Sequence, residues 1–215
     1  VSHDYEFYET PETSTKYLFN AMLHRGHQIS GNVVEPCVGS EAIMRAAASS
    51  SCWWQTNDLD PRWPASLNLD ATQASTWLEL DALHNARIDW TVTNPPFSIA
   101  VDILNYAWQF SAIGVAMHLR ASFHEPLKTG LRRALLRDRP PTGILWLPRF
   151  AFQRSKKTGE WTTDSVTCCW LIWVKHARHQ FVDYAPEWVI DGLDGETKYY
   201  RTRMDALMAK RKEVA

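Results

Sequence analysis

Long apolar runs are absent from this chain. None approaches the ~18 residues that a membrane-crossing helix needs, so no helical span is expected. The N-terminus is polar and lacks the basic-then-apolar order of a secretory signal. The sequence starts at Val1, and an initiator methionine or a longer leader is expected ahead of it. Cysteine is scarce: Cys37, Cys52, Cys168 and Cys169 show no CxxC spacing. That argues against disulfides or a zinc site and for core thiols in a reducing, cytoplasmic compartment. The 8 histidines have no HExxH-like spacing, so no metal centre is expected. Internal repeats, low-complexity segments and linkers are lacking too. The 215 residues fit one domain, 1–215, with a proper core.

Net charge is only −1, but its distribution is uneven. Arg120, Lys128, Arg132, Arg133, Arg137, Arg139, Arg149, Arg154, Lys156 and Lys157 face only Glu125 and Asp138 between residues 120 and 157, whereas Val1 to Asp60 is acidic. Such asymmetry fits a cofactor half and a polyanion-facing half; a solvated basic helix face fits it equally well. Most of the 11 tryptophans are expected in the core, with a few left to stack on bases.

The chain is organised around Ile88 to Phe97. Ile88 to Thr93 reads as a short buried strand, and Pro95 and Pro96 stop it because neither donates a ladder hydrogen bond. Asn94-Pro95-Pro96-Phe97 then presents an amide, backbone carbonyls without neighbouring N–H donors and an aromatic face, which suit a planar molecule carrying an –NH2. Upstream, Gly31 to Glu35 reads as a strand, Pro36-Cys37-Val38-Gly39-Ser40-Glu41 as a tight loop, and an alanine-rich helix follows to about Ser49. That is the opening of a Rossmann-like unit. Trp53 to Thr56 predicts a second strand ending in Asn57-Asp58-Leu59-Asp60-Pro61, and an acid at the tip of such a strand can accept both hydroxyls of a ribose. Leu67 to Thr72 predicts a third; Asp70, read alone, N-caps a helix over Gln73 to Asn85. Glu35, Asp58, Asp70 and Asn94 thus fall along one sheet edge.

The remaining expectations are a helix capped by Thr13 or Ser14 and running to about His27, a helix over Ile99 to Phe110, and a basic helix over Glu125 to Arg137. Strands are expected at Ile113 to Leu119, Ile144 to Leu147 and Val166 to Val174. Pro148 to Ser165 reads as a hairpin arm or loop, and the tail, 198–215, as a short basic helix.

Three motifs in order, Tyr8-Glu9-Thr10-Pro11, Glu35-Pro36-x-x-Gly39-Ser40 and Asn94-Pro95-Pro96-Phe97, resemble those of the S-adenosylmethionine-dependent DNA adenine N6-methyltransferases of phage and restriction-modification type. The resemblance spans about Tyr8 to Val174. It implies an α/β, Rossmann-like class I methyltransferase fold: a mostly parallel sheet of about seven strands with helices on both faces. It implies S-adenosylmethionine as cofactor, lined by Tyr8, Thr10 and Pro11 at its methionine end, by the loop Glu35, Pro36 and Gly39, by Asp58 at the ribose, by Leu59 at the adenine and by Asp70 and Ala71 at the adenine amine. Asn94, Pro95, Pro96 and Phe97 become the catalytic group, with Phe97 stacking on the target base. Pro-Arg-Phe-x-Phe in the arm is similar to segments that hold a flipped base, which implicates Phe150 and then Phe152, with Arg149, Arg154, Lys156 and Lys157 toward DNA. A cognate nuclease or partner subunit is the implied company. An RNA adenine methyltransferase and a catalytically silent nucleic-acid-binding relative stay open; Tyr-x-Thr-Pro and the basic arm speak against a glutamine-amide methyltransferase. One departure is Glu41, where many members carry glycine; its side chain is expected to narrow the cofactor's approach or reshape the loop.

Overall fold

The structure, a computed structural model, describes residues 9–48, 50–83, 87–125, 127–149, 153–154, 161–162 and 167–196. In chain order the elements are α1 (Glu12–His24), β1 (Gly31–Glu35), α2 (Ala42–Ala46), β2 (Cys52–Thr56), α3 (Ala74–Ala82), β3 (Trp90–Thr93), α4 (Ala100–Phe110), β4 (Gly114–Arg120), α5 (Leu131–Asp138), β5 (Gly143–Trp146), β6 (Gln153–Arg154), β7 (Trp161–Thr162), β8 (Cys168–Val174) and β9 (Phe181–Tyr184). Residues 187–196 are also helical. Seven strands form one sheet in the order β2-β1-β3-β4-β8-β5-β9. β8 runs antiparallel to both neighbours, and every other pairing is parallel. No helix among the described residues is long and apolar enough to cross a membrane.

Alternation along the central strands builds two cores. Cys168, Trp170, Ile172 and Val174 of β8 face Tyr17, Leu18 and Met22 of α1 and Val189 and Leu193 of the 187–196 helix. Cys169, Leu171 and Trp173 face Trp77 and Leu80 of α3, Ile103 and Leu104 of α4 and Leu135 of α5. A strand covered on both faces has no polar face, which is why β8 is apolar throughout. Trp77, Trp90, Trp170 and Trp173 are fully buried, while Trp53 and Trp188 are exposed.

Several expectations need correction. The segment Leu67 to Thr72 is no strand: only Leu67 bridges to Asn57. α1 is not capped by Thr13 or Ser14, which lie in its first turn. Glu196 does the capping, accepting the Glu12 N–H at 2.9 Å and the Thr13 N–H at 2.8 Å. That helix ends at His24 rather than His27. The basic helix starts only at Leu131, after a 3-10 turn at Ala121–His124. Asp70 does not cap α3, whose N-cap is Gln73. β9 and the 187–196 helix answer to no expectation. The short antiparallel pair β6 and β7 does match a hairpin in the arm; the rest of that arm from Phe150 to Val166, and the tail from 197, lie outside the described residues.

Candidate active site

β1, β2, β3 and β4 run parallel, so their C-terminal ends share one edge. Ligands of open α/β sheets collect there, because the loops leave the sheet on that side. Asn57, fully buried just past β2, holds this edge together. Its Nδ2 donates to the Pro36 carbonyl at 3.0 Å and the Leu69 carbonyl at 2.9 Å, and its Oδ1 accepts the Leu69 N–H at 3.0 Å. Its backbone donates to the Glu35 carbonyl and accepts from Val38. One amide therefore ties three loops, and sequence reasoning passed it over in favour of Asp58.

Asp58 itself is anchored: its Oδ2 accepts the Gly39 N–H at 2.8 Å and its Oδ1 the Asp60 N–H at 2.9 Å. Glu35, at the end of β1, is 2% exposed, and its Oε2 has no hydrogen-bond partner. Burial pushes its carboxyl well above the usual range; repulsion from Asp58 and Glu41 adds to this and Arg45 opposes it. Burial likewise raises the Cys37 thiol, helped by Asp58, Glu35 and Asp70 and opposed by a hydrogen bond from Thr93. Groups from the ends of β1, β2 and β3 and from the loop that carries Asp70 thus sense one another across a small space. Asp70 is turned partly inward: burial pulls its pKa up, but bonds from the Thr72 hydroxyl and N–H and from Gln73 outweigh this and hold it below the ordinary value. Ala71 is buried and its carbonyl accepts the Trp77 indole N–H at 2.9 Å. Leu59, in contrast, is 48% exposed beside Asp58.

The N-terminal motif reaches this edge through the residue that the pattern Tyr-x-Thr-Pro leaves blank. Glu9 is buried; its Oε1 accepts the Ser40 hydroxyl at 2.5 Å and pairs with Arg45 at 3.3 Å. Thr10 and Pro11 are buried beside it, and Tyr8 lies outside the described residues. Gly39 has φ 50° and Glu41 φ 60°. Glu41 thus takes the left-handed backbone that glycine adopts freely and that a side chain disfavours. The sequence departs from glycine here while the backbone stays in a glycine-type conformation.

β3 leads straight into the tetrapeptide. Asn94, Pro96 and Phe97 are half-buried and Pro95 is buried. The Pro96 carbonyl accepts the Ile99 N–H at 3.2 Å, whereas the Pro95 carbonyl accepts no backbone N–H among the described residues. Of the two acceptors that the prolines were expected to offer, one is used by the turn. Arg120, the last residue of β4, lays its guanidinium over the Phe97 ring, 4.7 Å from the centroid. Its Nε is buried without a partner.

The basic stretch does not form one face. Arg120 turns onto Phe97, Arg132 lies over Phe123, Arg133 donates to the Leu127 carbonyl, Arg137 pairs with Asp138, and Arg139 joins Trp108 at the far end of the sheet. Arg149 is exposed past β5, and Arg154 sits in β6 opposite Trp161. Phe150, Phe152, Lys156 and Lys157 lie outside the described residues.

No protein-family model matches the sequence, and no curated protein matches it. Solved structures do. The methyltransferase subunit of a type I restriction-modification system from Streptococcus thermophilus superposes with a TM-score of 0.58 at 12% identity, over 89% of this chain and 53% of that one. A Listeria monocytogenes protein assigned to the class I S-adenosylmethionine-dependent methyltransferases gives 0.51 at 11%, over 87% and 70%. A chain of another type I restriction-modification system gives 0.50 at 14%, over 83% and 45%. The chain therefore spans about half the length of the two restriction-modification proteins. At such identities the likeness is one of fold: a seven-stranded, mostly parallel sheet between two helical layers, the Rossmann-like fold of the class I methyltransferases.

Proposed function

We propose that this chain transfers a methyl group from S-adenosylmethionine to the exocyclic N6 amine of adenine in DNA. The observation that carries the reading is the gathering of buried Glu35, Asp58, Asp70 and Asn94-Pro95-Pro96-Phe97 on one sheet edge. The cofactor's chemistry fits these donors and acceptors. Glu35 offers a buried oxygen without a partner to a cationic or N–H-bearing group. Asp58 answers a ribose diol, Asp70 stays anionic toward an adenine amine, and exposed Leu59 gives its ring an apolar seat. Thr10 and Pro11, with Tyr8, line the methionine end.

When bound, S-adenosylmethionine supplies an electrophilic methyl on a sulfonium. The chain's own part is orientation. An adenine amine is a poor nucleophile because its lone pair is delocalised into the ring. Hydrogen bonds from that amine to the Asn94 side-chain oxygen and the Pro95 carbonyl draw the nitrogen toward tetrahedral geometry and localise the pair. No strong base is needed before transfer, since the proton turns acidic afterwards. In duplex DNA the base must leave the stack, at about a few kcal/mol, and Phe97, Phe150 and Phe152 receive it. Arg149, Arg154, Lys156 and Lys157 hold phosphates, which makes binding salt-dependent. Residues 1–215 are read as one methyltransferase domain with 148–165 as its DNA-contacting arm. Two structural neighbours come from type I restriction-modification systems, which supports DNA as substrate and a partner subunit.

The test is transfer of labelled methyl from S-adenosylmethionine to unmethylated plasmid DNA, structured RNA and protein in parallel, followed by nucleoside analysis. N6-methyladenine in DNA is expected, with Asn94→Ala reducing turnover about 100-fold or more while cofactor binding survives. Label in RNA alone moves the substrate to RNA; full transfer by Asn94→Ala refutes the role of Asn94.

A further inference from the structure

The opposite edge of the sheet, at the start of β5 and the end of β8, holds a cleft of about 290 Å³ lined by Trp108, Arg139, Thr142, Trp173 and Arg178 among others. It lies about 20 Å along β4 from Arg120, at ~3.3 Å per residue, so a ligand in the candidate active site does not reach it. Trp108, in the last turn of α4, is approached by two cations. Lys175 Nζ sits 5.0 Å from its ring centroid and Arg139 Cζ 5.6 Å.

None of Arg87, Arg139, Lys175 and Arg178 has a carboxylate within ion-pair distance among the described residues. Arg139 Nη1 is buried with no hydrogen-bond partner. Burial lowers the Lys175 pKa, and repulsion from Arg87 and Arg139 lowers it further. The acid in the lining, Asp138, is paired with Arg137, and the Arg139 charge also helps hold its carboxyl below the ordinary value. A helix C-terminus favours a nearby cation, which accounts for Arg139 at the end of α5 but not for several cations crowding one ring. Their mutual repulsion costs free energy, and an anion beside them offsets it. The guanidinium groups of Arg139 and Arg178 line the cleft, with the Lys175 ammonium beside its Trp108 wall. Two guanidinium groups in a cleft of this size suit a phosphoryl group, whose oxygens accept several N–H donors at once.

We propose that the cleft beside Trp108 is a phosphoryl-binding site, with the anion met by the Arg139 and Arg178 guanidinium groups that line it and with Lys175 adding positive charge beside the Trp108 wall. It is independent of the methyl-transfer reading. The phosphoryl group comes either from a small phosphate ester or from a nucleic-acid backbone, and two arms of one experiment separate these sources. In the first, thermal unfolding and calorimetry of the full chain are run with inorganic pyrophosphate against chloride at matched ionic strength. In the second, affinity for a short DNA duplex is measured over a salt series. The variants are Arg178→Gln, Arg139→Gln and the conservative Arg178→Lys, each checked for native circular dichroism; exposed Arg178 tolerates change even if Arg139 does not. Specific stabilisation of the wild type by pyrophosphate, with the dissociation constant weakened about tenfold or more in Arg178→Gln and restored in Arg178→Lys, supports the site with a small ligand. A loss in duplex affinity and salt slope instead supports it with a backbone phosphate. If pyrophosphate acts no better than chloride and Arg178→Gln binds duplex like the wild type, the proposal is overturned.

Discussion

The two ends of one sheet carry opposite charges. At the C-terminal ends of the parallel strands sit Glu35 and Asp58, together with Asp70, Glu9 and Glu41 from the flanking segments; at the N-terminal ends sit Arg87, Arg139, Lys175 and Arg178. Helix polarity favours this arrangement, since helix N-termini meet the first edge and C-termini the second. The acidic edge leaves a buried carboxyl oxygen without a donor, and the basic edge leaves a buried guanidinium nitrogen without an acceptor. Buried polar groups are normally satisfied, and the two proposed ligands, a cationic cofactor and an anion, would each supply a partner of the character that these atoms lack. A net charge of −1 hides this separation entirely.

The largest expected effect that tests the contrast is on cofactor affinity. Asp58→Ala removes a charged acceptor worth about 1.5–3 kcal/mol, so S-adenosylmethionine should bind roughly 10- to 100-fold more weakly. Lys175→Gln, at the other edge, should leave that constant unchanged. Because Asp58 also holds the Gly39 and Asp60 N–H groups, unfolding must be followed beside calorimetry. Equal cofactor affinity in wild type and Asp58→Ala would dissolve the assignment of the acidic edge.

A smaller effect concerns stability against pH. The folded-state pKa of Glu35 is raised above its unfolded value, first by burial and then by Asp58 and Glu41. Its contribution is therefore fully present below about pH 4.3 and is lost as pH rises through the raised folded value. Glu35→Gln carries no such burden. The ligand-free variant should match the wild type in acid and become the more stable of the two as pH rises, by up to ~1.4 kcal/mol for every pH unit that separates the folded value from the unfolded one. Melting curves that stay parallel from pH 4 to pH 9 on this ~5-unit scan would show that Glu35 is not held protonated by its surroundings.

How much of this edge the sequence discloses depends on how local its causes are. β1, β3 and β8 were legible because both faces are covered and the residues are apolar and β-branched or aromatic in succession. Leu67 to Thr72 misled because apolar Leu67 and Leu69 alternate with polar residues as in a strand. Instead the Asn57 side chain takes both backbone groups of Leu69, which leaves no ladder to extend. β9 is an edge strand with Val182 and Tyr184 exposed, and gave no apolar face to read. The capping of α1 was misplaced because Thr13 and Ser14 are good local caps, whereas the carboxylate in use comes from 183 residues away. Glu9 was hidden as the blank in a motif, and Arg120 as one more base in a basic run, because neither shows what it will touch until β1, β3 and β4 are assembled with their loops. The acids at strand ends were legible since strand, turn and helix signals locate such ends directly; the cationic cleft was not, since α4, α5 and β8 meet there from distant parts of the chain.

The smallest effect isolates the one residue on the acidic edge whose backbone is strained. Glu41 occupies φ 60°, ψ 25°, where a side chain costs about 1–2 kcal/mol and glycine costs nothing sterically. Glycine in turn loses more freedom on folding, about 0.5–1 kcal/mol, so Glu41→Gly should stabilise the protein by roughly 0.5–1 kcal/mol. Two causes contribute, since the substitution also removes a negative charge that repels Glu35. Glu41→Ala separates them: it removes the same charge but keeps a Cβ in the left-handed region. Urea unfolding should give a higher midpoint at unchanged slope for Glu41→Gly than for Glu41→Ala, with the gap independent of pH because strain does not titrate. The part that Glu41→Ala shares with Glu41→Gly should instead grow as pH rises and Glu35 ionises. If the two variants have the same midpoint at every pH, the left-handed conformation carries no strain, and charge alone distinguishes Glu41 from the glycine it replaces.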